Sequence, residues 1–130
     1  MKSSILVVEN DPMSKRLAEA VLKAGGYTVR CVDDAETALK EARTVKPDLV
    51  LMDVRLPGMD GLEATRRLLA DPETASVAVA VLSAQAFQED VRRAMDAGCV
   101  DYLTKPIGAR ELLDRVAQIL SAVSDRKAAR

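Results

Sequence analysis

Five times along this chain a short apolar run gives way to a segment with helical periodicity, and no other feature narrows the possible folds so far. Ser4–Val8, Leu49–Met52 and Val77–Leu82 are continuous apolar runs, too short and too β-branched for helices. Such runs are expected of parallel strands covered on both faces. Tyr27–Val32 alternates, with Tyr27, Val29 and Cys31 on one side and Thr28, Arg30 and Val32 on the other, which predicts an edge strand. A short fifth strand is predicted over Val100–Leu103.

The intervening segments carry helix start and stop signals. Asp11 before Pro12 fits an N-cap and a first-turn proline, and Gly25-Gly26 closes that helix. Within it Met13, Leu17, Val21 and Ala24 recur at spacings of three and four, predicting a core-facing stripe. Asp33 or Asp34 opens a second helix that runs to about Val45, closed by Lys46-Pro47-Asp48. Leu62–Ala70 is a third and Gln88–Ala97 a fourth. Ala109–Val123 is the longest, with Leu112, Val116, Ile119, Leu120 and Val123 on one side. Regular alternation of strand and helix predicts a three-layer α/β domain with a parallel sheet between helices. At 130 residues, with no repeat or linker, the chain reads as one domain with a core over about 4–123 and a polar, fraying tail at 124–130. Its start at Met1 and its polar end are what a complete protein is expected to have.

Composition removes several functions. A net charge of −1 and three aromatics, Tyr27, Phe87 and Tyr102, do not provide a nucleic-acid surface. No apolar run approaches a membrane span, and no leader precedes the first strand, so a cytoplasmic chain without membrane insertion is expected. Cys31 and Cys99 have no metal-type spacing and read as buried or half-buried thiols of a reducing compartment. The chain has no histidine. Ser-His and Cys-His nucleophiles, histidine metal sites and a phosphohistidine role are therefore absent, and carboxylates, hydroxyls, lysine or a metal must carry any chemistry.

In open α/β sheets the site lies beyond the carboxyl ends of the strands. The first strand delivers Glu9, Asn10 and Asp11, the third Asp53, the fourth Ser83, and the fifth leads to Lys105-Pro106. Asp11 alone is explained as a helix cap, Ser83 as a strand-end cap and Lys105 as a surface lysine. Asp53 has no such explanation, because Asp-Val-Arg-Leu-Pro leaves the strand with no helix to cap. A carboxylate at the end of an apolar strand is costly to desolvate unless paired or bound to a cation. Three or four acids meeting one lysine point to a hard divalent cation held by oxygens, with Mg²⁺ first and Mn²⁺ as its substitute.

"LVLMDVRLPGMDGLE", "VLSA" and "DYLTKPI" resemble, in order and spacing, the phosphoacceptor, hydroxyl and lysine motifs of response regulator receiver domains of two-component systems. The similarity covers about residues 4–123, and the wording is most like single-domain receivers of the DivK type. It implies a doubly wound (βα)5 flavodoxin-like fold with strand order 2-1-3-4-5. It also implies a signalling phosphoprotein rather than a metabolic enzyme, one that catalyses its own Mg²⁺-dependent aspartyl phosphorylation and dephosphorylation. The donor would be a sensor histidine kinase or a histidine phosphotransfer protein of a phosphorelay.

Residue by residue, the resemblance makes Asp53 the phosphoacceptor. Mg²⁺ would be held by Asp53, Glu9, Asn10 and the backbone carbonyl of Arg55. Lys105, before a typically cis Pro106, would meet one phosphoryl oxygen, and the Ser83 hydroxyl with the Ala84 N–H another. Ser83 and Tyr102 would form the switch, Tyr102 entering space that Ser83 vacates. A downstream protein would then read the face made by the fourth helix, fifth strand and fifth helix. Arg55 and Gln85, each two residues beyond a site residue, are expected to tune phosphoryl lifetime.

The first-strand motif departs from the family. Receivers typically carry two adjacent acids there, and the second is the usual direct metal ligand; here Glu9 is followed by Asn10, and Asp11 falls one place late. An amide still coordinates through its oxygen but removes one negative charge, worth roughly 3–4 kcal/mol of attraction per unit positive charge at an effective dielectric near 20. Lost repulsion offsets much of this, so metal binding is expected to weaken by about ten- to a hundredfold, about 1.4–2.7 kcal/mol. Asn10 is expected at the metal and Glu9 in a water-mediated position, with Asp11 as the alternative if its side chain turns inward. Two other readings follow: a pseudo-receiver interaction module whose phosphorylation is lost through Asn10, and a receiver excised from a larger hybrid kinase.

Overall fold

The computed structural model describes residues 3–85 and 87–128, with side chains described to Ser124 apart from that of Ala86. Five strands alternate with five helices: β1 (Ser4–Val8), α1 (Pro12–Ala24), β2 (Thr28–Val32), α2 (Ala35–Val45), β3 (Leu49–Met52), α3 (Gly61–Ala70), β4 (Ala78–Ser83), α4 (Gln88–Asp96), β5 (Asp101–Thr104) and α5 (Ala109–Ala128). The strands form one parallel sheet in the order β2-β1-β3-β4-β5. β2 is an edge strand, as its alternation predicts, and the continuous apolar runs of β1, β3 and β4 occupy the centre.

Strand pleating divides the core in two. Leu6, Val8, Val50, Met52, Val79 and Val81 face α2, α3 and α4, where Ala38, Ala42, Leu62 and Leu68 meet them. The alternate residues Ile5, Val7, Leu49, Leu51, Ala80 and Leu82 face α1 and α5, against Leu22, Leu112, Val116 and Ile119. Each of these strands therefore needs an apolar residue at every position, because neighbouring side chains enter opposite layers.

The stripe predicted for α1 is wrong in its facing. Met13 is 80% and Leu17 61% exposed, while Ala18 and Leu22 are buried and Val21 packs beside them. Met13, Leu17 and Val21 form one row at fourfold spacing and Ser14, Ala18 and Leu22 another, and the sheet takes the row that ends in Leu22. Asp34, not Asp33, caps α2, its side chain accepting from the Thr37 N–H at 2.7 Å. The left-handed Lys46 closes that helix. α5 continues through Ala128, so the tail expected to fray from Ser124 continues as helix, and residues 129–130 lie outside the described residues. Met1 and Lys2, where no leader is expected, lie outside them too. Among the described residues no helix is long and apolar enough to cross a membrane.

Candidate functional site

The winding reverses on either side of β1, so the connections leaving β1 and β3 part and a cleft opens at the carboxyl edge of the sheet. Glu9 follows β1 and is 3% exposed. Its N–H donates to the Val32 carbonyl at 3.0 Å, which aims the side chain across the edge. Its carboxylate is divided between two donors: Oε2 accepts from the Asp11 N–H at 3.1 Å, and Oε1 accepts from the Lys105 ammonium. Asp53 follows β3, its N–H bonded to the Val8 carbonyl at 3.0 Å. Its Oδ1 accepts from the Arg55 N–H at 3.1 Å, and Oδ2 lies 3.3 Å from the Lys105 ammonium.

Lys105 thus ties two carboxylates from two strands. Its N–H donates to the Ser83 carbonyl at 2.8 Å, and the Lys105–Pro106 peptide is cis. Burial pushes the Glu9 carboxyl above its usual range, against the opposing pull of Lys105 and the Asp11 N–H. For Lys105 burial acts downward, but the bond to Glu9 and the charge of Asp53 outweigh it and raise the ammonium. Two carboxylates against one ammonium leave a net charge of −1, in a cleft whose remaining donors are oxygens. That donor set suits a hard cation.

The expected number of converging acids needs correction. Two, not three or four, reach Lys105, and among the described residues no group of three metal-ligating acidic, histidine or cysteine side chains exists. Asp11 is exposed and caps α1, its Oδ2 accepting from the Ser14 N–H at 2.9 Å, and that backbone donor lowers its carboxyl. That oxygen is committed to the helix end. Asn10 is exposed beside it.

Ser83 ends β4 and is 2% exposed; its hydroxyl accepts from the Gln85 N–H at 3.2 Å. Tyr102, half-buried on β5, donates its hydroxyl to the Gln85 carbonyl at 2.5 Å. Burial is the main cause raising its phenol. Gln85 therefore joins Tyr102 to Ser83 through its own backbone. Ala84 and Arg55 are exposed, and Arg55 touches Asp53 through its N–H.

Ala84 and Lys105 also end an apolar groove of about 410 Å³ between α1 and the β5–α5 connection, walled by Leu17, Val21, Ile107 and Leu112. Sequence reasoning missed the direct Glu9–Lys105 contact and the place of Gly61 against Asp53. The second had a visible signal, a glycine directly after a helix-capping aspartate, Asp60, within the Asp53 motif.

Residues 5–117 match the family model of the response regulator receiver domain. The DNA-binding response regulator MtrA of Mycolicibacterium smegmatis is 36% identical over 128 residues, which span 98% of this chain and 55% of MtrA. The response regulator PleD of Caulobacter vibrioides is 39% identical over 119 residues, 92% of this chain and 26% of PleD. The chain thus spans about half the length of MtrA and about a quarter of PleD. Among solved structures, the receiver domain of the sensor histidine kinase PA1611 of Pseudomonas aeruginosa, with a magnesium ion coordinated in its active-site cleft, superposes with a TM-score of 0.86 at 36% identity. It covers 93% of this chain and 99% of that one. The signal receiver domain of a signal transduction histidine kinase from Syntrophus aciditrophicus gives 0.84 at 30% identity, covering 93% and 92%.

Proposed function

The chain belongs to the response regulator receiver domain family, and on that footing we propose that it accepts a phosphoryl group on Asp53 from a phosphohistidine and signals through protein contacts. The observation that carries this is the Lys105 ammonium held against both Glu9 and Asp53 at the sheet edge, with Ser83 one strand away. A carboxylate oxygen of Asp53 forms the new bond to phosphorus as the phosphorus–nitrogen bond of the donor breaks, the electron pair remaining on the imidazole nitrogen. The dispersed negative charge must meet fixed positive groups. Lys105 supplies one, and the Ser83 hydroxyl and Ala84 N–H supply another.

Glu9, Asp53, the Asn10 amide oxygen and the Arg55 carbonyl would hold Mg²⁺, or Mn²⁺ in its place. When bound, the cation supplies positive charge opposite the phosphoryl oxygens. Glu9 keeps Lys105 directed into the cleft, and the Arg55 N–H orients the Asp53 carboxylate. Tyr102 and Ser83, joined through Gln85, form the switch, and Arg55 and Gln85 tune phosphoryl lifetime.

The donor is a sensor histidine kinase or a phosphotransfer protein, since this chain has no histidine of its own. The apolar groove ending on Lys105 and Ala84 offers that protein a foothold beside the cleft. The output surface is α4, β5 and α5, where Phe87, Met95 and Val100 stand exposed and Ala94 is the buried residue of α4. Action as a single cytoplasmic domain of the DivK type is the form of this reading in which that surface contacts a separate protein.

Incubating the chain with Mg²⁺ and a small acyl phosphate tests the proposal. One phosphoryl group should appear and should be absent from Asp53→Asn. Among the described residues no third acid joins Glu9 and Asp53, which favours a second reading, a receiver-fold interaction module that takes no phosphoryl group; no uptake by the parent would establish it.

A further inference from the structure

The backbone of Asp53 is the surface on which α3 begins. Gly61, the first residue of α3 and buried, donates its N–H to the Val54 carbonyl at 2.8 Å. Its carbonyl accepts from the buried Thr65 hydroxyl, also at 2.8 Å. A Cβ at position 61 would lie 2.1 Å from the Asp53 carbonyl oxygen and 2.9 Å from both the Asp53 carbonyl carbon and Met52 Cγ. Gly61 is not among the residues with positive φ, so close approach, not backbone conformation, requires glycine here.

Nothing at this contact yields cheaply. The atom met first is backbone, and Asp53 is bonded through its N–H to Val8 at the end of the interior strand β1. On the other side Asp60 caps α3, accepting from the Leu62 and Glu63 N–H groups at 2.9 Å. A methyl group at 61 must shift one of these frames by about 1 Å, a displacement that can cost on the order of a hundredfold in rate when it falls on a reacting group.

We propose that Gly61 is a positioning residue for phosphoryl transfer. Its missing side chain lets α3 seat on the Asp53 carbonyl. That contact sets where the Asp53 carboxylate, and the Arg55 carbonyl two residues along the same loop, stand in the cleft. The inference rests on the reading of Asp53 as phosphoacceptor.

The test uses the whole chain carrying Gly61→Ala, with folding followed by far-UV circular dichroism. Mg²⁺ affinity is read from backbone amide NMR shifts, and phosphorylation from a titration with a small acyl phosphate. Gly61→Ala should bind Mg²⁺ at least tenfold more weakly. It should also phosphorylate about a hundredfold more slowly at saturation, with the half-saturating donor concentration little changed. Leu68→Ala, which empties the core face of α3 away from Asp53, should lose stability yet keep both values when folded.

If Gly61→Ala does not fold, Thr65→Val carries the test, since it frees the Gly61 carbonyl without a clash; a severalfold loss in the same two readouts is expected. A folded Gly61→Ala with parental affinity and rate overturns the proposal. So does Leu68→Ala reproducing its losses, or, as the substitute, an unchanged Thr65→Val. If the parent takes up no phosphoryl group, the functional reading fails by itself. The Gly61 inference is then decided by the Asp53 carboxyl ¹³C shift and the Mg²⁺ affinity, which should move in Gly61→Ala and stay in Leu68→Ala.

Discussion

Lys105 closes off the carboxylate of Glu9 from 96 residues further along the chain. Glu9 is 3% exposed, so removing its counter-charge leaves an ionised group that water cannot reach. Lys105→Ala is therefore expected to destabilise the fold by about 2–3 kcal/mol at neutral pH, below the range for fully buried pairs because Lys105 is partly solvated. Adding Glu9→Gln should recover most of that loss. The sign with pH follows. Below about 4.5, the ordinary glutamate value, the carboxyl is protonated folded and unfolded and the deficit is small; it grows as pH rises and the unfolded chain ionises more readily than the folded one. Urea denaturation at several pH values measures this, and a Lys105→Ala chain as stable as its parent at neutral pH contradicts it.

Asn10 stands where one more negative charge would strengthen a cation site. Asn10→Asp is expected to tighten Mg²⁺ binding by about ten- to a hundredfold, about 1.4–2.7 kcal/mol. Calorimetric titration of the two chains decides the matter, and equal affinities would remove Asn10 from the metal.

Asp11 is committed to the first turn of α1. Asp11→Ala should lower stability through the lost cap and change Mg²⁺ affinity less than twofold. A tenfold fall in affinity with unchanged stability would reverse the assignment of cap and ligand.

Burial pushes the Cys99 thiol from 9.0 up to about 11. An unfolded chain releases that proton near pH 9 while the folded chain holds it, so stability is full below pH 9 and falls as pH rises towards 11. The loss from this residue is on the order of 2–3 kcal/mol. Thermal unfolding of parent and Cys99→Ala across pH 8–10.5 should give a steeper fall for the parent. Parallel curves would show that Cys99 does not hold its proton.

The sequence by itself determined the alternating elements, the parallel sheet and the places where chemistry gathers. Those follow from local rules: strands covered on both faces must be apolar at every step, and a carboxylate such as Asp53 at the end of such a run must stand at the sheet edge. Asp53, Ser83 and Lys105 could be assigned to one edge because each ends or directly follows a strand.

Only the tertiary structure decided which of two equally spaced rows on α1 faces the sheet. It chose Ala18 and Leu22 and left Met13 and Leu17 in solvent, because crossover geometry, not periodicity, sets helix rotation. It also decided that Asp11 caps α1, that Glu9 reaches Lys105 directly, and that Gly61 rests on the carbonyl of Asp53. Each of these depends on the distance between chain segments brought together by folding, and no periodicity or propensity along the chain encodes such a distance.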